Sequence, residues 1–416
     1  MKIAMLTNNY KPFVGGVPIS IERLSDGLRA LGHEVYIFAP TYKDQVEEEN
    51  VIRYKSTNYK FSGGIVIPNM FDKKIEERFK ELEIDIIHVH HPILMGQAAL
   101  HLGKKYKIPV AYTYHTRYEE YLHYVRVYKT LEESANRNEE NYLGDVEDLI
   151  LEFTKERLVP GFIKHFTNKC DLVFAPTDMM KEYLLENSTN TRIEVMPTGL
   201  NENYFKGANE TVKDIREKYK DNKKYLFCTV SRLSKEKNIK FIIDGVKSLK
   251  DKIGNSFNTL IIGEGPEKEA LIEKVKELNL EENITFLNKI DNKEIGNYYK
   301  ACDLFLFASK SETQGIVLLE AMAAKLPVVA IKASGVVDVV VNDKNGYMTK
   351  ENIEDWAEKV KDIVTSKEKI NELKNGAYDE ALKYLNYNIA KKAEYNYEYT
   401  IKEFYSRGLK YELKAN

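Results

Sequence analysis

Two carboxylates, Glu312 and Glu320, bracket a short apolar run in KSETQGIVLLEAMAA (310–324), whose one backbone-permissive residue is Gly315. A charge taken into an apolar interior without a partner is costly, so these side chains either point to water or serve a ligand. Thr313, Gln314 and Gly315 lead into IVLLEAMAAK, a helical pattern beginning near Ile316. The N–H groups at a helix start suit anionic or hydroxyl-rich ligands, and glycine lets backbone approach them closely. With Glu312 in the loop and Glu320 one turn into the helix, both carboxylates can face one ligand lying across the helix N-terminus. The plainer alternative leaves Glu312 in solvent and Glu320 favouring the helix dipole.

Cations supply the complementary chemistry. In TVSRLSKEKN, Arg232 and Lys237 follow an apolar strand candidate and stand close enough in sequence to meet one anion. Arginine offers a planar fork for two phosphate oxygens and lysine a point charge, so a nucleoside diphosphate fits the pair; solvated loop cations are the alternative. NNYKPFVGGVPIS (8–20) carries adjacent Gly15 and Gly16 between strand and helix patterns, and GEGP (263–266) follows another strand. Neither is the G-x-G-x-x-G fingerprint; each is a plain turn or a place where backbone nears a phosphate or sugar. His88, His90, His91 and His115 fall at strand ends. His88 and His90 share a strand face, as a metal pair would, but no nearby cysteine or clear carboxylate completes a ligand set, and no metal site is expected. His115 is the better active-site candidate, because it ends a strand and opens YTYHTRYEEYLHYV. There Tyr112, Tyr114, Tyr118, Tyr121, Tyr124 and Tyr128 mix with Arg117, Arg126 and Lys129. That mixture suits ordinary aromatic packing or a lipid headgroup region.

The elements that must position these residues alternate along the chain. KIAMLT, EVYIFAP, IDIIHVHHP, IPVAYTYHT and CDLVFAPT read as buried strands separated by helical stretches such as IERLSDGLRALG (21–32), closed by Gly32. A second series starts near residue 224 with KKYLFCTVSRL, NTLIIGEGP, NITFLN, CDLFLFAS and LPVVAI. Two α/β domains in tandem are expected, 1–200 and 201–385. The linker lies around 196–210, where Pro197, Gly199 and Gly207 interrupt periodicity, and a tyrosine-rich helical tail over 386–416 packs on one domain. Ligands of open α/β sheets bind outside the carboxyl ends of strands, so a substrate cleft between the domains is expected.

Bulk composition agrees. A length of 416 residues suits two cores. Sixty-two basic against 64 acidic residues leave a formal charge of -2, which gives no global field for nucleic acid. Three separated cysteines in or beside apolar runs read as reduced buried thiols. With no signal-like N-terminus and no apolar run of about 18 residues, a cytosolic protein is expected, free to sit on a membrane face.

Taken in order, the GGV loop, GHEVYIFAP, PTGLNENYF, SRLSKEKN, GEGPEKEAL and two glutamates separated by seven residues resemble the retaining family 4 glycosyltransferases of the GT-B fold over nearly the whole length. In SETQG and YHTRYEEYLHYV the chain is similar to bacterial diacylglycerol α-glucosyltransferases. It departs from the commoner G-G-x-x-E motif, which stands here as ASGVVD with Asp338 at the acidic place. The resemblance implies two Rossmann-like domains facing each other across a cleft, with the C-terminal helix packing back toward the N-terminal domain. Glu312 would hold the donor sugar's hydroxyls, helped by the N–H groups of Thr313, Gln314 and Gly315, and Glu320 would bind the ribose. Arg232 and Lys237 would grip the diphosphate, Gly16, beside Gly15, would approach it, and His115 would touch the sugar near its anomeric centre. Tyr114, Arg117 and Tyr118 would line the acceptor side.

The implied reaction moves a hexose, glucose foremost, from a UDP-sugar substrate with retention and with no obligatory metal or other cofactor. The acceptor would be diacylglycerol or a glycolipid at the cytoplasmic membrane face, reached by peripheral association. A soluble sugar or polysaccharide acceptor, a sugar-nucleotide epimerase and a non-catalytic binding protein are the rivals.

Overall fold

The computed structural model describes residues 1–13, 15–56, 66–117, 158–206, 210–310 and 312–415. They fall into two compact units: Met1–Pro197 with Ile389–Asn416, and Thr198–Asn388.

The first unit holds a seven-stranded sheet in the order β3-β2-β1-β4-β5-β6-β7. Its strands are β1 (Lys2–Leu6), β2 (Glu34–Pro40), β3 (Val51–Tyr54), β4 (Ile86–Val89), β5 (Val110–Thr113), β6 (Leu172–Ala175) and β7 (Ile193–Val195). Every pairing is parallel, with Met5 opposite His88 at the centre. Parallel strands are covered by helices on both faces, and so read as runs such as KIAML rather than as alternation. One face packs Leu6, Ile87 and Tyr112 against the helices Lys73–Leu82 and Met95–Tyr106. The other packs Ile3, Met5 and Phe174 against Ile21, Leu24 and Leu28 of the helix Gly16–Ala30.

The C-terminal helix Asn386–Ala415 joins that second face. Ile389, Ala393 and Tyr397, four residues apart and so on one stripe, are buried among the residues of β1 and β6. Tyr397 reaches through the core to His88, OH to Nδ1 at 2.7 Å, and Thr113 Oγ1 meets His88 Nε2 at 2.6 Å. Arg192 Nη2 donates to the Asn396 carbonyl and to Thr400 Oγ1 at 3.2 and 3.0 Å. Within its unit the tail is therefore fixed by apolar burial and by buried polar contacts.

The second unit holds a six-stranded parallel sheet, β10-β9-β8-β11-β12-β13. Its strands are β8 (Tyr225–Val230), β9 (Phe257–Ile262), β10 (Ile284–Leu287), β11 (Leu304–Phe307), β12 (Val328–Ile331) and β13 (Gly346–Thr349). Two apolar clusters cover its faces, one built around Phe227, Ile261 and Trp356, the other around Leu260, Phe305 and Leu318. Cys170, Cys228 and Cys302 are free and buried. The edge or near-edge strands β3, β7 and β13 go unread in the sequence, because VIRY, IEV and GYMT are too short to show a pattern.

Candidate active site

Each sheet reverses its strand order once, between β1 and β4 in the first unit and between β8 and β11 in the second. Loops leaving the carboxyl ends of those neighbours start side by side, where open α/β sheets hold their ligands.

In the second unit, the loop after β8 runs through Arg232 into the short turn Lys235–Lys237, and the loop after β11 carries Glu312. Lys310 N–H donates to the Glu236 carbonyl at 3.0 Å, which stitches the two loops together. Lys237 Nζ then donates to Glu312 Oε1 at 2.6 Å, with the two side chains 17% and 16% exposed. Charge-assisted bonds of this length are the strong ones, and partial burial limits screening of the pair. Arg232 is exposed at the start of the same loop. Behind Glu312 lies Gly335 of the ASGVVD loop, at a φ of +71°. A Cβ there would fall 2.8 Å from the Glu312 carbonyl oxygen and 2.9 Å from its Cβ, so only glycine allows this backing.

Gly315, at a φ of +69°, turns the chain into the helix Ile316–Ala323, which no side chain among the described residues caps. Glu320, one turn in, is 6% exposed, and its Oε2 accepts from Tyr299 O–H at 3.3 Å. Burial, and next the Glu320 charge, push the Tyr299 phenol well up. Glu320 is thus a buried, hydrogen-bonded carboxylate rather than a solvated helix-dipole partner. The Gln314 side chain, which sequence reasoning left without a role, bonds both backbone groups of Thr198. The GEGP glycines serve packing: a Cβ on Gly263 would strike the Ser231 carbonyl, and one on Gly265 the Leu233 backbone. Leu233 N–H donates to the Glu264 carbonyl at 2.9 Å across that contact.

In the first unit, the loop after β1 ends at Gly15, extended at a φ of −173°, and the helix begins with Gly16. A Cβ on Gly16 would meet nothing within 4 Å, so neither packing nor backbone strain requires glycine there. His91 Nδ1 accepts from Asn8 N–H at 3.1 Å, and Asn8 Oδ1 accepts from Met95 N–H at 3.2 Å, which joins the β1 and β4 loops. His90 Nδ1 lies 2.9 Å from His115 Nε2, with the rings stacked at 25°. Burial, and next the neighbouring histidines, hold both imidazoles well below the usual range, while burial alone takes His88 and His91 down to about 3. Burial therefore favours the neutral form of these imidazoles. His88 and His90 lie on one strand face with ring centroids 4.3 Å apart. Both His88 nitrogens, however, meet Tyr397 and Thr113, and no group of three or more metal-ligating side chains occurs among the described residues.

One acceptor-side expectation is corrected. Tyr114, one residue past β5 and in the same apolar cluster as Tyr112, is fully buried in the core, stacked on Tyr183 with centroids 6.2 Å apart. Its side chain is a packing residue. Arg117 is half-buried with its guanidinium 5.0 Å from the Tyr183 ring centroid. Tyr118 lies outside the described residues. Tyr299 and Gly335 were missed as site neighbours, and only the glycine of ASGVVD, next to an expected motif position, could have signalled either; His90 was weighed only as a metal partner of His88.

Two parallel-sheet Rossmann-like units with these loops at their switch points have the architecture of the GT-B fold. Anabaena HepE, solved in complex with UDP, has this architecture, with a TM-score of 0.73 at 18% identity over 95% of this chain and 99% of that one. So does the sucrose-phosphate synthase of Thermosynechococcus elongatus, at 0.72 and 19% over 97% and 99%. Residues 14–204 match Glycosyltransferase Family 4 and residues 211–380 match Glycosyl transferases group 1. The alpha-monoglucosyldiacylglycerol synthase of Acholeplasma laidlawii is 30% identical over 85% of this chain and 86% of its own. That of Streptococcus pneumoniae is 31% identical over 79% and 71%. The chain belongs to the group 1/family 4 glycosyltransferases.

Proposed function

We propose that this glycosyltransferase moves a hexose, foremost glucose, from a UDP-sugar to diacylglycerol or a glycolipid with retention of anomeric configuration. The observation that carries the donor reading is the Lys237–Glu312 pair, 2.6 Å long, on loops from the neighbouring strands β8 and β11. It sets a cation fit for a diphosphate beside a carboxylate fit for sugar hydroxyls. The naming of two relatives as alpha-monoglucosyldiacylglycerol synthases supports the lipid acceptor, and the UDP in the HepE complex is in keeping with the donor.

In this reading Arg232 and Lys237 hold the diphosphate, Glu312 and the N–H groups of Thr313, Gln314 and Gly315 hold the sugar, and Glu320 holds the ribose. Gly16 is assigned to the diphosphate and His115 to the sugar near C1. As the C1–O bond to the diphosphate breaks, the acceptor oxygen bonds to C1 on the same face, and its proton passes to the departing phosphate oxygen. No covalent nucleophile is needed; the protein's task is to position the reactants and to stabilise charge growing on the diphosphate. Two cations and a helix N-terminus do this without an obligatory divalent ion.

A screen of UDP-sugars against diacylglycerol vesicles and soluble acceptors, read as UDP release with the product's anomeric configuration assigned, tests the reading. Expected is α-linked product on the lipid from UDP-glucose. Release only with a soluble sugar moves the acceptor, acceptor-free isomerisation points to an epimerase, and no turnover with any donor sinks the proposal.

A further inference from the structure

We propose that the Gln314 side chain is a positioning residue that moors the Glu312 loop to the segment where the chain enters the second unit, and so sets the height of that loop at the sugar end of the donor. The inference rests on the donor reading above. Gln314 is 3% exposed; its Oε1 accepts from Thr198 N–H at 2.7 Å, and its Nε2 donates to the Thr198 carbonyl at 3.2 Å. A side-chain amide that bonds both backbone groups of one residue imitates a strand pairing and cannot turn without breaking both bonds. This side chain therefore does not reach for a ligand; it holds the chain that does.

The mooring point is itself fixed. Leu200 N–H donates to the Tyr384 carbonyl at 2.7 Å, and Asn386 N–H donates to the Leu200 carbonyl at 3.0 Å. Between them, Gly199 passes so near Asn386 that a Cβ would fall 2.8 Å from its Cα. Both places where the chain passes between units, Pro197–Thr198 and Asn388–Ile389, thus adjoin one small hydrogen-bonded ladder. The loop from Glu312 to Gly315 has no strand ladder of its own. Three of its holds are Lys237 through charge, Gly335 through close backing, and Gln314 through these two bonds. Of the three, only Gln314 reaches beyond the loops at the sheet's own carboxyl edge.

The test compares wild type with Gln314→Met, which keeps length and removes both bonds, and with Gln314→Glu, which keeps the acceptor but faces the Thr198 carbonyl with a second oxygen. The measurements are kcat and donor KM from UDP release, UDP affinity by calorimetry, and the thermal midpoint. Misplacing a reacting group by a fraction of an ångström lowers turnover, so kcat should fall about tenfold in Gln314→Met, with Gln314→Glu also below wild type. UDP affinity should stay within about twofold, because Arg232, Lys237 and Glu320 are untouched. Wild-type kcat in Gln314→Met overturns the proposal. So does a loss of UDP affinity in step with kcat and with the thermal midpoint, which would make Gln314 a packing residue alone. Should Gln314→Met fail to fold, Gln314→Glu carries the same test, and wild-type kcat in it is equally fatal. A wild type that releases no UDP from any UDP-sugar sinks the donor reading and this proposal with it; an active wild type beside an equally active Gln314→Met sinks this proposal alone.

Discussion

Lys237 and Glu312 neutralise each other across 2.6 Å, so under the proposed function a donor would meet a cation already aligned by a carboxylate. Removing one charge leaves the other half-buried without this counter-charge as well as removing a contact. Lys237→Ala and Glu312→Gln should each lower kcat by about 10²-fold or more with the circular dichroism spectrum unchanged. Because the two touch, the double variant should lose less than the product of the single losses; independent, multiplying losses would separate their roles. The histidines make a pH prediction. Burial holds His88 and His91 down to about 3, against an ordinary 6.5. Between those values the unfolded chain binds protons that the folded chain refuses, so stability is intact above the window and drains away as pH falls through it. Thermal midpoints should drop from pH 7 to 5, and His88→Gln should flatten the slope; an unchanged slope would argue that His88 titrates in the fold. At this scale the placement of charges just after strands was legible, as in Lys237 and Glu312, but not that these two would pair. Tyr299 beneath Glu320 and Thr198 beneath Gln314 were not, since each pairing joins positions far apart in sequence and leaves no local trace.

Loops are the elements that set the site, and glycine separates two kinds among them. At Gly265 a Cβ would collide with the Leu233 backbone, which cannot yield as a side chain would. Gly265→Ala should therefore shift the loop bearing Arg232 and Lys237 and weaken UDP binding about tenfold. Gly16 has open space, so Gly16→Ala should leave the melting temperature unchanged while slowing donor turnover; calorimetry and UDP release read both. The tail helix gives the third case. Tyr397→Phe leaves His88 Nδ1 buried without its 2.7 Å partner and should cost about 1–3 kcal/mol in denaturant unfolding. Strands with apolar runs were readable from sequence. The burial of Tyr114 was not, because both faces of a parallel sheet are covered and the tyrosine-rich run past β5 does not show where that cover ends.

For the molecule as a whole, a net charge of -2 offers no long-range pull toward anionic lipid, and no helix among the described residues is long and apolar enough to cross a membrane. Co-sedimentation with diacylglycerol vesicles should therefore depend on local contacts and weaken little between 0.05 and 0.3 M salt, about a twofold change in Debye length. Turnover should survive chelation by EDTA, and its complete loss would require a divalent ion in the donor site. The tandem α/β plan was legible because each strand run is followed by a helical period. The return of the tail to the first unit was legible only through the family resemblance, since the stripe of Ile389, Ala393 and Tyr397 does not say which face it meets. That return also imposes an order on synthesis. The second unit is one continuous stretch and can close on its own residues as it leaves the ribosome. The first unit must leave open the part of the face around Ile3, Met5 and Phe174 that the helix Gly16–Ala30 does not cover, until residues beyond 388 emerge. At a translation rate of roughly 5–20 residues per second that wait lasts on the order of ten to forty seconds, with the earliest-made strands the last to be sealed.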